Sequence, residues 1–248
     1  MSEEIRRREK YNNLHRTEPL RFPLEDYPYF YSCLNIPTPA IGLRLLDIAC
    51  GQGFFLEAAE KYGTDLELHG LDFSEVALNY AKSRVSKAKL QIGSAYDLPY
   101  KDKYFDYCVN LGSLEHFDEP IRALQEVHRV LKPTGKAMII VPNQYYLGTI
   151  WKVLSFGEGE DQGQDSVTDF RTLKNWTSLF LMSNLDVMGV NAYNGEDHIA
   201  WYFKRKDGKI SDEEKFLRGI LNIVIKPIIP LNLCQCFIFI LRRQPQIY

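Results

Sequence analysis

LLDIACGQGFFLEAA, residues 45–59, is an apolar run broken by one acidic side chain, Asp47, that passes through Gly51 and Gly53 into an amphipathic stretch. The run has the length and character of a buried strand, read here as 44–49, and a helix is predicted to begin near Gly53. Glycines at such a turn let the backbone approach a ligand closely, and the first turn of the next helix presents oriented amides. Turns of this kind form binding sites at the carboxyl ends of parallel strands. A dinucleotide fingerprint would place a third glycine at residue 56, where the chain has Leu56, and this weakens the dinucleotide reading.

Outward from this turn, apolar runs at 66–71, 89–93, 105–111 and 136–142 alternate with amphipathic stretches whose helices begin near Ser74 and Glu119. The alternation produces a parallel sheet covered by helices, an α/β fold. Ser74 is a suitable N-cap, and Val76, Ala77, Tyr80, Ala81 and Val85 are expected on one face of the helix it opens. Pro133 and Gly135 are read as stopping a helix before the strand at 136. Beyond residue 143 the alternation ends. The polar, glycine-rich stretch GEGEDQGQDS, 157–166, reads as part of a loop over 144–167. A helix over 169–182, a strand near 186–193 and a last strand CFIFILRR, 236–243, follow. Asp72 closes the second apolar run, where a carboxylate can accept both hydroxyls of a ribose.

Length and composition narrow the function classes. The 248 residues suffice for a sizeable core, and 45% hydrophobic against 25% charged residues exclude disorder of the whole chain. Thirty Lys and Arg against 32 Asp and Glu leave a net charge of -2, so no global positive field gathers nucleic acid. Arg6, Arg7 and Arg8 are read as a solvated helix face. Five cysteines without scaffold density or paired zinc spacing, and an amino-terminal MSEEIRRREK without an apolar core, lead to the expectation of a cytoplasmic protein. Residues 216–241 are strongly apolar but broken by Lys226, Pro227 and Pro230. The charge-free part, 227–241, is shorter than the ~20 residues that span a bilayer, and is read as a core strand plus a surface helix. Peripheral contact with a membrane surface is the alternative.

Five stretches in order, LLDIACGQG, GLDFSE, GSAYDLPY, FDYCVNLGSLEHF and LKPTGKAMIIVPN, resemble the class I S-adenosylmethionine-dependent methyltransferases, in particular the small-molecule subgroup that includes quinone-biosynthesis enzymes. The resemblance covers residues 44–143, and CFIFILRR resembles the family's last strand. It implies a Rossmann-like, seven-stranded, mostly parallel sheet in the order 3-2-1-4-5-7-6 with helices on both faces. It also implies one methyltransferase domain made of a cap (1–40), a cofactor-binding core (41–143), a substrate and lid region (144–235) and the last strand (236–243). The implied cofactor is S-adenosyl-L-methionine, leaving as S-adenosyl-L-homocysteine. Asp47, Ala49, Gly51 and Gly53 would surround its methionine part, Asp72 its ribose and Phe73 its adenine. Ser94, Ala95 and Tyr96 would border the adenine edge, with Ser94 standing where many relatives have Asp. Asn110 and Leu111 would pass beside the sulfonium.

The implied reaction is methyl transfer to an O or N atom of a small molecule. A hydroxyl acceptor needs a base, whereas an amine needs only a neutral lone pair. His116 in SLEHF is the candidate base, since it titrates near neutrality and follows the cofactor pocket; the alternative is that it braces its loop. Some quinone O-methyltransferases carry a third metal ligand where this chain has Gly112, so no metal is expected. Tyr31, Asn143 and Tyr146 are candidate substrate contacts. Two other readings stay open: a prenylated or lipid-like acceptor at the membrane surface, and a catalytically silent cofactor-binding module. The sequence leaves the oligomeric state open.

Overall fold

The computed structural model describes residues 3–17, 22–156, 169–195 and 229–245. Its strands are β1 (Arg44–Ile48), β2 (Glu67–Asp72), β3 (Lys89–Ile92), β4 (Phe105–Leu111), β5 (Leu131–Pro142), β6 (Leu185–Tyr193) and β7 (Cys236–Arg243). They form one sheet in the order β3-β2-β1-β4-β5-β7-β6. The first five run parallel, while β7 runs antiparallel to both β5 and β6. This is the expected class I order.

The helices are α1 (Glu3–Thr17), α2 (Tyr27–Cys33), α3 (Phe54–Tyr62), α4 (Glu75–Arg84), α5 (Pro120–Val130), α6 (Leu147–Phe156) and α7 (Leu173–Met182). Two apolar cores lie on opposite faces of the sheet. One gathers Phe30, Phe55, Leu56 and Leu78 from α2, α3 and α4, with Leu34 just after α2; the other gathers Leu124, Val127, Trp176 and Phe180 from α5 and α7. Because both faces are covered, β5 and β7 are near-continuous apolar runs: Ala137, Met138, Ile139, Ile140 and Val141 face Phe237, Ile238, Phe239 and Leu241 across the ladder, all buried.

Local signals place several boundaries. The Ser74 hydroxyl caps α4 by accepting from Ala77 N at 3.1 Å, and Thr172 caps α7 by accepting from Asn175 N at 3.2 Å. The α4 face differs from expectation, since Ala77, Leu78 and Ala81 are buried and Tyr80 is exposed. α5 stops at Val130, before Pro133, and the chain is already extended at Leu131, five residues ahead of the predicted strand start. Trp176 Nε1 donates to Pro142 O at 3.0 Å and so fixes α7 against the carboxyl end of β5. The GEGEDQGQDS stretch and residues 216–228 lie outside the described residues.

Candidate active site

The turn after β1 is left-handed at Ala49, Gly51 and Gly53, with φ of 57°, 53° and 79°. At Gly53 two constraints coincide. Its φ disfavours any side chain, and a Cβ there would lie 3.1 Å from the Ala81 Cβ on α4. Arg84, at the end of α4, braces the turn from outside: its Nε donates to Gln52 O at 3.1 Å, and its guanidinium lies 3.8 Å from the centre of the Phe54 ring.

Asp72 is tied to this turn. Its Oδ2 accepts from Gly51 N and its Oδ1 from Ser74 N, both at 2.8 Å, and the residue is buried. Asp47, also buried, is its electrostatic neighbour. Burial first, and the Asp72 carboxylate second, push the Asp47 carboxyl well above the usual carboxylate range. Burial raises Asp72 as well, opposed by the Ser74 and Gly51 amides and by His15. A cationic group beside these two neighbouring buried acids would relieve the repulsion between them. The cofactor expected from the sequence, S-adenosylmethionine, would bring its ammonium towards Asp47 and its ribose hydroxyls to Asp72.

The face of the turn that such a cofactor would use is covered by α1. The His15 Cε1 lies 3.3 Å from where a Cβ on Gly51 would stand, and His15 O accepts from Gln52 Nε2 at 2.7 Å. Ser74 Oγ donates to Asn12 Oδ1 at 2.6 Å, and the Tyr11 ring meets Phe73 edge-on, with centroids 5.1 Å apart. The residues of the turn fit the cofactor, while α1 stands in its way.

The remaining expected cofactor residues border the same carboxyl edge. Phe73 is half-buried beside Asp72, Ser94 is exposed, and Ala95 and Tyr96 are half-buried. The Tyr96 hydroxyl accepts from Asp118 N at 3.0 Å, joining the loop after β3 to the one after β4. Asn110 is buried and fully engaged: its Nδ2 donates to Ile48 O at 2.8 Å and its Oδ1 accepts from Leu114 N at 3.0 Å. It pins the end of β1 to the turn that carries Glu115 and His116, and leaves the neighbouring Leu111 half-buried at the strand end.

That turn, Leu114–His116, holds Glu115 fully buried and His116 with a side chain 20% exposed; His116 Nε2 stands 3.9 Å from Glu115 Oε1. Glu115 borders a cavity of about 260 Å³ whose apolar wall includes Phe22, Ile140, Val141, Tyr146, Phe170 and Tyr193. The cavity lies at the carboxyl ends of β4 and β5, beside the start of β7. Tyr193 is fixed by donating its hydroxyl to Asp26 Oδ2 at 2.5 Å, which ties β6 to the segment before α2.

Of the three expected substrate contacts, the fold brings only Tyr146 to this cavity. Asn143 is buried beneath it with its amide spent on the backbone: Nδ2 donates to Asn232 O and Cys234 O at 2.9 and 2.8 Å, and Oδ1 accepts from Tyr145 N at 3.1 Å. Tyr31 packs on α3 against Phe55 and Tyr62, its hydroxyl lying over Gly63 at the far end of that helix. An aromatic residue in an apolar segment gives no sign of which end of a helix it will meet. Sequence reasoning missed Tyr11, Asn12, His15, Arg84 and Tyr193. They come from segments 31 to 140 residues away from the turn, and no local spacing marks them.

A family model described as "Methyltransferase domain" matches residues 46–139. A demethylmenaquinone methyltransferase of Lysinibacillus sphaericus is 28% identical over 174 residues, covering 62% of this chain and 74% of that protein. One of Staphylococcus aureus is 36% identical over 107 residues, 42% of this chain and 44% of that protein. Among solved structures, an S-adenosylmethionine-dependent methyltransferase from Mesorhizobium loti superposes with a TM-score of 0.61 at 17% identity, over 89% of this chain and all of the other. That likeness is one of fold.

Proposed function

We infer, from the place of this chain among the class I S-adenosylmethionine-dependent methyltransferases, that it methylates an O or N atom of a small molecule, and that the acceptor is a hydroxylated ring of the quinone type. The observation that carries this reading is the apolar cavity at the carboxyl edge of β4 and β5, bordered by one buried carboxylate, Glu115. The names of the Lysinibacillus and Staphylococcus relatives point to the same acceptor class.

S-adenosylmethionine supplies a methyl group that its sulfonium has already activated, so the protein's task is alignment, proton removal and exclusion of water. Asp47, the Ala49–Gly53 turn, Asp72, Phe73 and the loop of Ser94, Ala95 and Tyr96 would hold the cofactor, with Asn110 and Leu111 beside its reactive end. The wall of Phe22, Ile140, Tyr146 and Phe170 would hold the ring. His116 would take the hydroxyl proton, and the Glu115 carboxylate 3.9 Å from its Nε2 would stabilise the imidazolium that forms. The cytoplasmic setting and the division into cap, core and lid belong to the same proposal.

Transfer of a labelled methyl group tests it. The expected outcome is transfer to a hydroxyl oxygen of a reduced naphthoquinone, with simple amines inactive; transfer to a ring carbon or to amines alone would overturn the hydroxyl-acceptor reading. A prenylated acceptor at a membrane surface is favoured by the apolar residues 216–241. Among the described residues no helix is long and apolar enough to cross a membrane, so this version predicts reversible sedimentation with liposomes.

A further inference from the structure

α1 is charged along most of its length, and between Arg8 and Arg16 only Tyr11, Asn12 and His15 are shielded from solvent. Residues spaced i, i+1 and i+4 share one face of a helix, and this face lies on the turn. Tyr11 meets the edge of Phe73, Asn12 accepts from Ser74 Oγ, and His15 closes over Gly51 beside Asp72. The cofactor reading gives Phe73 to the adenine, Asp72 to the ribose and Gly51 to the methionine part, and Ser74 follows Asp72 and Phe73 directly on the chain.

We propose that α1 is an internal competitor for the cofactor: its Tyr11–Asn12–His15 face fills the cleft beside Asp72 and must leave before S-adenosylmethionine can enter. The inference rests on the reading that the Gly51–Gly53 turn and Asp72 hold that cofactor.

The contact is built to be released. His15 Nδ1 is buried without a hydrogen-bond partner, which is a cost of closure. The Asp72 carboxylate is kept from water and receives backbone amides, with the neighbouring imidazole as an electrostatic partner. Ribose hydroxyls would donate to that carboxylate directly. Among the described side chains of α1 little apolar area is buried: Tyr11 is only half-buried, and Leu14 is 43% exposed. Closed and open states of α1 can therefore lie close in free energy, and the cofactor shifts them through its differential affinity.

The test uses calorimetric binding of S-adenosylhomocysteine to the full chain, to the triple variant Tyr11→Ala, Asn12→Ala, His15→Ala and to a chain lacking residues 1–17. Hydrogen exchange of the α1 amides is followed with and without ligand. Because an occluded site raises the apparent dissociation constant by the inverse of its open fraction, the triple variant should bind about tenfold tighter. The α1 amides should exchange faster in the wild-type complex than in the free protein. Weaker or unchanged binding by the triple variant, with α1 more protected in the complex, would overturn the inference and make α1 a clasp over bound cofactor. Asp72→Ala separates the two levels. If it abolishes binding while the triple variant binds like wild type, the cofactor reading stands and the competitor falls; if wild type and triple variant both fail to bind, both fall.

Discussion

Asp72 carries more of the site than any other side chain, because it joins the glycine turn to the end of β2 through two backbone amides at 2.8 Å. Asp72→Ala should leave a folded domain whose affinity for S-adenosylhomocysteine is weaker by about 10- to 100-fold, the loss of one or two hydrogen bonds to a charged group; calorimetry measures it. His116→Ala should lower the single-turnover rate by about 100-fold or more at saturating cofactor, the usual range for a positioned base, with cofactor affinity nearly intact. The deficit should narrow as pH approaches the acceptor's own pKa, since an ionised acceptor needs no base. A variant that loses stability and cofactor binding together would make His116 a brace for its loop. Gly53→Ala forces a side chain into φ 79° and against Ala81, and should destabilise the fold by roughly 1–3 kcal/mol in urea unfolding.

At the scale of elements, the edge formed by β1, β2 and β3 is bound by one carboxylate. Glu67 of β2 accepts from Lys89 of β3 at 2.5 Å and from Arg44 of β1 at 3.2 Å, with His69 at 3.0 Å. Lys89 foremost, then His69 and Arg44, pull Glu67 down from 4.5 to about 2 against the effect of burial. A carboxylate with a depressed folded value contributes stability above its unfolded pKa and loses it as pH falls through the folded one. Glu67→Gln should therefore cost stability at neutral pH, by about 1 kcal/mol or less because the group is partly exposed and screened. The difference from wild type should fade between about pH 4.5 and 2, and urea unfolding across that range checks it.

For the whole molecule, the apolar cavity beside Glu115 is assembled from distant parts of the chain: Phe22 before α2, Ile140 on β5, Tyr146 before α6, Phe170 before α7 and Tyr193 on β6. α6 leaves Val153 47% and Leu154 77% exposed beside this cavity's Tyr146 end. Segments with little buried apolar contact open at low free energy, and a methyl-transfer site gains from closing against water. The amides of α6 should thus become more protected from hydrogen exchange when S-adenosylhomocysteine and an acceptor-like quinol bind together. Equal protection in the free and doubly bound protein would show that α6 is no lid.

The sequence by itself determined the alternation of strands and helices and the turn after β1, because both rest on local signals: an apolar run carrying Asp47, another ending in Asp72, glycines where φ must be positive, and a hydroxyl cap at Ser74; the strand order follows from the family resemblance that these motifs carry. Tertiary structure alone decided that Asn143 spends its amide on the backbone around Cys234, that Tyr31 packs at the wrong end of α3, and that His15 of α1 stands beside Asp72. Those facts depend on which distant segment meets a given side chain. Periodicity sets the face of an element that is buried, but the partner on that face is chosen by the packing of the whole chain.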